Sequence, residues 1–147
     1  MIKENKLRMQ FGDWDTVIAD AYAIREDVFV EEQGIPAELE FDDMDAQCLH
    51  AVAFAGNGEA VGTGRLLPDG HIGRIAVRRE ARGKGVGAAI VAGLMDQAHA
   101  RGDAMVALNA QVAAEPFYER LGFERKGEVF DEAGIPHVAM IYIFPAS

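Results

Sequence analysis

Apolar positions recur along this chain with two periods, and the change from one to the other separates helices from strands. Residues 6–11 are predicted as a short first strand. Val17, Ile18, Ala21, Tyr22, Ile24, Val28 and Phe29 then fall at helical spacing behind Asp13 or Asp15, either of which can cap a first turn. That helix is predicted to run to about Val30 and to close at Gly34, with Pro36 as a stop. Residues 31–45 carry seven acids and no basic residue, a polar segment near a site or simply a solvated loop. From His50 the pattern becomes strand-like: residues 50–55, a turn at Gly56-Asn57-Gly58, residues 60–67, a turn at Pro68-Asp69-Gly70, and a strand from Ile72. Tight turns make these an antiparallel meander. Val86, Ile90 and Leu94, beside Gly87, Val91, Met95 and Ala98, mark a second helix that stops at Arg101-Gly102. Residues 104–110 are nearly all apolar and are predicted as a central strand covered on both faces. Pro116 opens a short helix ended by Gly122, and strands at residues 123–126 and 138–144 flank Asp131-Glu132-Ala133-Gly134. The predicted architecture is a mixed, mostly antiparallel α/β (α+β) sheet with helices on both faces, one domain over residues 1–147.

Between the strand at residues 74–77 and the helix from Val86 lies a basic, glycine-rich turn. Strand, glycine turn and helix start, in that order, build an anion site, because unpaired N–H groups converge where the helix dipole is positive. Gly83, Gly85 and Gly87 let the main chain approach a phosphate without Cβ atoms in the way. Charge sharpens the picture. The chain has 24 acids against 14 lysines and arginines, a formal net charge of −10, yet residues 74–84 hold Arg74, Arg78, Arg79, Arg82 and Lys84 against Glu80 alone. A basic island in an acidic chain is best explained by a fixed anionic ligand; the bland alternative is a solvated charged turn.

Three motifs compete for this turn. The G-x-x-x-x-G-K-[ST] frame fails, since Lys84 is followed by glycine and no hydroxyl is available for magnesium. A degenerate dinucleotide fingerprint, Gly83-x-Gly85-x-x-Ala88, would make a nicotinamide-nucleotide enzyme. It is disfavoured, because Arg78 to Arg82 separate it from the strand and the next strand ends in Asn109-Ala110-Gln111, without the ribose-binding acid. The third frame, Arg82-x-x-Gly85-x-Gly87 after Arg74-Ile75-Ala76-Val77, resembles the acyl-CoA loop of the GNAT superfamily of N-acetyltransferases. Asn109 to Phe123, with Phe117-Tyr118-x-x-x-Gly122-Phe123, is similar to the family's strand and short helix. Residues 28–33 and Gly134-Ile135-Pro136-His137 resemble a small bacterial subgroup of largely unassigned substrate.

The resemblance implies that the loop Arg82, Gly83, Lys84, Gly85, Val86 and Gly87 holds the CoA pyrophosphate and that Ile75, Ala76 and Val77 bond the pantetheine arm. It further implies that Asn109 holds the pantetheine or adenylate side and that Phe117 packs on the cofactor or core. Tyr118 would protonate the departing thiolate, whose conjugate acid titrates at about 8.5 like a cysteine; such help is worth roughly 10²–10⁴ in rate. The implied activity is acetyl-CoA-dependent transfer of an acetyl group directly to a primary amine of a small molecule or peptide. The alternative is a non-catalytic acyl-CoA sensor or regulatory module.

An amine with a lysine-like pKa of about 10.4 must lose a proton before attack. Glu32, Glu40, Asp45, His50, Glu128 and His137 are candidate bases, and Glu32 and Gln33, with His137, are candidates for amine recognition. Cys48 and His50 sit two apart, which invites a Cys-His acyl-enzyme, but no glycine nest or orienting acid supports it and a buried thiol is the better reading. The four histidines lack metal-ligand spacing, so no metal is expected. A single cysteine suits a reducing cytoplasm. The acidic balance argues against nucleic acid, the N-terminal residues show no leader pattern, and short apolar runs argue against a membrane span. A monomer or homodimer is expected.

Overall fold

The computed structural model describes residues 7–145. Residues 1–6, on which the absence of a leader pattern and the start of the first predicted strand rest, lie outside them. Strands β1 (Arg8–Gly12), β2 (Leu49–Phe54), β3 (Ala60–Leu66) and β4 (Ile72–Val77) form one antiparallel sheet in chain order. The meander joined by the two glycine turns is therefore present. A second sheet has the order β5–β8–β6, with β5 at Met105–Gln111, β6 at Glu124–Arg125 and β8 at Ile135–Ile143. A further strand, β7 (Phe130–Glu132), pairs with β8. It was not anticipated: Ala133 and Gly134 both take positive φ (55° and 80°), as a two-residue type I′ hairpin turn requires.

Among the described residues the two sheets touch through a single parallel bridge, His71↔Ala107, where the Ala107 amide donates to the Gly70 carbonyl at 3.1 Å. Beyond it β4 and β5 part. The expectation of a central strand covered on both faces is thus corrected. β5 pairs only with β8, from Met105↔Ile143 to Gln111↔His137, and buries Val106, Leu108 and Ala110 while Met105, Asn109 and Gln111 are exposed. Its apolar composition conceals an alternation, and its free edge faces a cleft.

Two long helices hold the first sheet between them. In α1 (Trp14–Arg25), Asp13 Oδ1 accepts from the Thr16 amide at 2.9 Å and so satisfies one of the unpaired first-turn donors. Val17, Ala21 and Ile24 of α1 pack with Val52, Phe54 and Ala76. After the short α2 (Ala37–Glu40), the helix α3 (Val86–Ala100) buries Val86, Ile90, Val91, Leu94 and Ala98 against Ala51, Ala53, Val61 and Leu66. Adjacent strand residues point to opposite faces, so α1 and α3 cover opposite sides, as expected. The glycines of β3 admit α3 closely: a Cβ on Gly62 would lie 2.7 Å from Ile90 Cδ1.

The first helix also departs from its predicted form. Residues Glu26–Glu32 are π-helical, with the Gln33 amide donating to the Val28 carbonyl at 3.1 Å. The widened turn turns Phe29 and Gln33 toward the gap between the sheets.

Candidate active site

Where β4 and β5 separate, a cavity of about 290 Å³ opens between them. Residues 72–75 of β4 and Leu108, Asn109 and Gln111 of β5 form two of its walls. Tyr118 enters from α4 (Glu115–Arg120), Phe29, Gln33 and Ile35 from the π-helical turn and beyond, and Glu132, Ile135 and His137 from the β7–β8 hairpin. The structure thus brings Ile75, Asn109, Tyr118, Gln33 and His137 to one cavity from five separate stretches of chain. Gln111, Arg74 and Glu132 also line it and were missed. Gln111 was within reach of sequence reasoning, because it lies two residues from Asn109 on the same face.

Pro116, in the first turn of α4, sets Tyr118 one turn above the Gly122 stop. Its ring meets Phe117 edge-on at 4.9 Å and Phe123 at 6.0 Å. The hydroxyl has no hydrogen-bond partner among the described residues, and burial pushes the phenol pKa up, so the group is held protonated. Phe117 faces the other way, toward the glycine turn: a Cβ on Gly87 would lie 3.6 Å from its Cζ and 3.7 Å from Val77 Cγ2. Gly83 and Gly85 take φ of 77° and 82° with nothing within 4 Å of an added Cβ, so they are needed for backbone shape, not for room. The amides of residues 83–88 find no acceptor among the described residues, and they open a 15-residue helix. Ala76 is buried under α1, so only its backbone can serve a ligand; Ala76 and Val77 pair with β3 on one edge, while Arg74 and Ile75 lie where the β3–β4 register shifts and have no registered partner. Lys84 and Val86 point away from the main cavity, into a separate one of about 480 Å³ that Glu59 and Glu80 also line.

The basic island has a different basis from the one its charge suggests. Arg82 makes a two-pronged pair with Glu32 at 2.7 Å and donates to the Val77 carbonyl at 2.9 Å. Arg78 pairs with Asp27 at 2.8 Å, and Arg74 with Glu40 and Asp42 at 3.2 Å each. Arg79 is 3.7 Å from Glu32. Acids of residues 27–42 neutralise these arginines from within, and the amides of the turn remain without acceptors among the described residues. Glu32, held below the usual carboxylate range chiefly by the bond from Arg82, stands outside the cavity that Gln33 lines.

Several candidate bases are also committed elsewhere. Arg25, 1% exposed, donates to Glu40 and Asp45 at 2.8 Å, and Arg65 donates to Asp45 and Asp42 at 2.8 Å. Burial opposes ionisation of Asp45, yet Arg25 and Arg65 prevail and hold its carboxyl low. For Glu40 burial wins over Arg74 and Arg25 and raises it. His50 donates from Nε2 to the Asp45 carbonyl at 2.8 Å, and burial lowers its pKa, so it stays neutral. Burial raises the Cys48 thiol, which keeps it from being a thiolate nucleophile. Glu128 lies on the exposed segment before β7. Among the described residues no group of three or more His, Cys, Asp and Glu is arranged to hold a metal, and no helix is long and apolar enough to cross a membrane.

Comparison with known proteins agrees with this layout. Residues 20–144 match the model of the acetyltransferase (GNAT) domain. The uncharacterized N-acetyltransferase YjcF of Bacillus subtilis is 40% identical over 128 residues, covering 84% of this chain and 91% of that protein. A crystal structure from Lactobacillus plantarum superposes with a TM-score of 0.86 at 34% identity, over 95% of this chain and 99% of that one. An acyl-CoA N-acyltransferase from Pseudomonas aeruginosa gives 0.83 at 29% identity, over 93% and 99%. The chain belongs to the GNAT family of acetyltransferases.

Proposed function

We propose that this acyltransferase uses acetyl-CoA to acetylate a primary amine of a small molecule or peptide by direct transfer, as one catalytic domain working in the cytoplasm. One observation carries the reading: glycine turn, Phe117, Tyr118 and cavity lie in unbroken contact along the parted edge of β4. In this reading the amides of residues 83–88 bind the pyrophosphate, aided by the α3 dipole. The unpaired edge at Ile75, Ala76 and Val77 bonds the pantetheine arm, Asn109 meets it from β5, and Phe117 packs beside it. The thioester then arrives in the cavity next to Tyr118.

The amine nitrogen attacks the thioester carbonyl, a C–N bond forms, and the C–S bond breaks as Tyr118 gives its proton to sulfur. A phenol kept protonated by burial suits that donation. Thiol release from acetyl-CoA across a panel of amines tests the activity. Tyr118→Phe is expected to lose turnover by roughly 10²-fold or more while calorimetry shows unchanged CoA binding; full turnover in that variant would remove the role of Tyr118.

A further inference from the structure

We infer that His137 is the general base for the acceptor amine, with Glu132 as the positioning residue that passes its proton to water; this rests on the acyltransferase reading. His137 lines the same cavity as Tyr118 and is 8% exposed. Its Nδ1 lies 2.8 Å from the Ile135 carbonyl. A carbonyl only accepts, so Nδ1 carries the hydrogen and Nε2 of the neutral ring carries the lone pair. Nε2 has no hydrogen-bond partner among the described residues; Glu132 Oε2 stands 3.9 Å from it, on a side chain 52% exposed. The ring is held in place by the sheet, opposite Gln111 on one side and Phe130 on the other, and it stacks on Phe130 at 6.1 Å. A fixed ring that lines the cavity, with one nitrogen committed and the other unbonded among the described residues, is what a base requires.

The competing groups are occupied. Asp45 and His50 are bonded in the interior, and Glu40 is bound by Arg25 and Arg74. The ionisable groups that share the cavity with His137 are Glu132 of β7, Arg74 of β4, Glu40 of α2 and Tyr118 of α4. Two protons leave an ammonium acceptor. One passes to His137 Nε2, then by way of Glu132 to water, and frees the nucleophile. The other, shed after attack, restores the Tyr118 hydroxyl once that has protonated the sulfur. Acetyl-CoA and the ammonium thus give the amide, free CoA and one proton.

His137→Asn keeps an amide donor for the Ile135 carbonyl and deletes Nε2. Its kcat/KM for the amine is expected to fall roughly 10²–10⁴-fold, with the KM for acetyl-CoA unchanged. The acid limb of the pH–rate profile should move to alkaline pH, where the amine deprotonates unaided and activity should recover. Free imidazole should restore part of the turnover of His137→Ala. Glu132→Gln, on an exposed hairpin, should lower kcat several-fold without moving either KM. Wild-type rates and pH profile in both His137→Asn and Glu132→Gln, with Tyr118→Phe still inactive, would overturn the assignment and leave the transferase reading intact. No thiol release by the wild-type protein with any amine would overturn both.

Discussion

Arg25→Met is expected to destabilise the fold more than any other single polar-to-apolar change in the first half of the chain. Arg25 closes α1 with four hydrogen bonds: to Glu40 Oε2 (2.8 Å), the Glu40 carbonyl (2.8 Å) and both oxygens of Asp45 (2.8 and 3.2 Å). Its guanidinium also lies 4.8 Å from the Phe41 ring and 5.4 Å from Trp14. Methionine fills much of the space but leaves Glu40 and Asp45 buried with fewer cations around them. Breaking a buried pair by removing one partner costs about 3–5 kcal/mol. Arg74 and Arg65 still reach those carboxylates, so the lower end, about 3 kcal/mol, is expected. Against a total of about 5–15 kcal/mol this is a large fraction. Trp14, the only tryptophan, sits beside the substitution and reports it directly. With a urea slope of about 1–3 kcal/mol/M, the fluorescence midpoint should drop by about 1–3 M. A drop of less than about 0.5 M at unchanged slope would refute the view that this cluster ties residues 37–47 to the sheet.

Other outcomes follow from the same geometry. Burial lowers the His50 pKa, so the unfolded chain takes up that proton first, and stability should fall as pH drops below about 6.5; His50→Gln should flatten urea midpoints between about pH 5 and 7. The Asp42 and Asp45 carboxyls are depressed, so their contribution is present above about 3.9 and is lost as pH falls through their folded values. Glu40 runs the other way: its raised pKa makes the folded chain bind the proton first, and its ionisation costs stability as pH rises above about 4.3. Gly85→Ala places a Cβ at φ 82°, costing about 1–2 kcal/mol; a lowered melting temperature together with weaker CoA binding by calorimetry is expected. Glu32→Gln frees Arg82 beside the glycine turn and should tighten CoA binding at low salt but not at high salt. A raised amine KM instead would assign Glu32 to the acceptor.

Local pattern made much of this legible. The meander, both long helices, the glycine turn and the proline-led short helix all announce themselves within a few residues of chain. The pairing of Asn109 with Tyr118 came from motif order. What stayed hidden was non-local. The surplus of arginine at residues 74–84 gives no hint that Asp27 and Glu32, about fifty residues earlier, pair with Arg78 and Arg82. Nothing in Glu26–Glu32 signals a π turn, since its apolar spacing also fits an ordinary helix. Met105–Gln111 is apolar enough for a central strand, and only the tertiary structure shows that, beyond the bridge at Ala107, its second edge has no strand neighbour among the described residues. Arg74 is the clearest case: a β-region residue by composition, it takes φ 52° where the β3–β4 register shifts, with its guanidinium 3.2 Å from Glu40 and from Asp42.

The single strand bridge between the two sheets among the described residues makes the molecule a measuring device. From the bridge at His71 and Ala107, β4 runs six residues to Val77, and the glycine turn follows at Gly83 after one short turn at Arg79–Ala81. In the proposed reading, a rod-shaped acyl-CoA held at the turn would lie along that edge, and its far end would come to rest at a depth set by where the two strands join. Reach is therefore written into the position of one hydrogen bond, and shifting that joint along the strands would change which length of acyl tail the enzyme can seat.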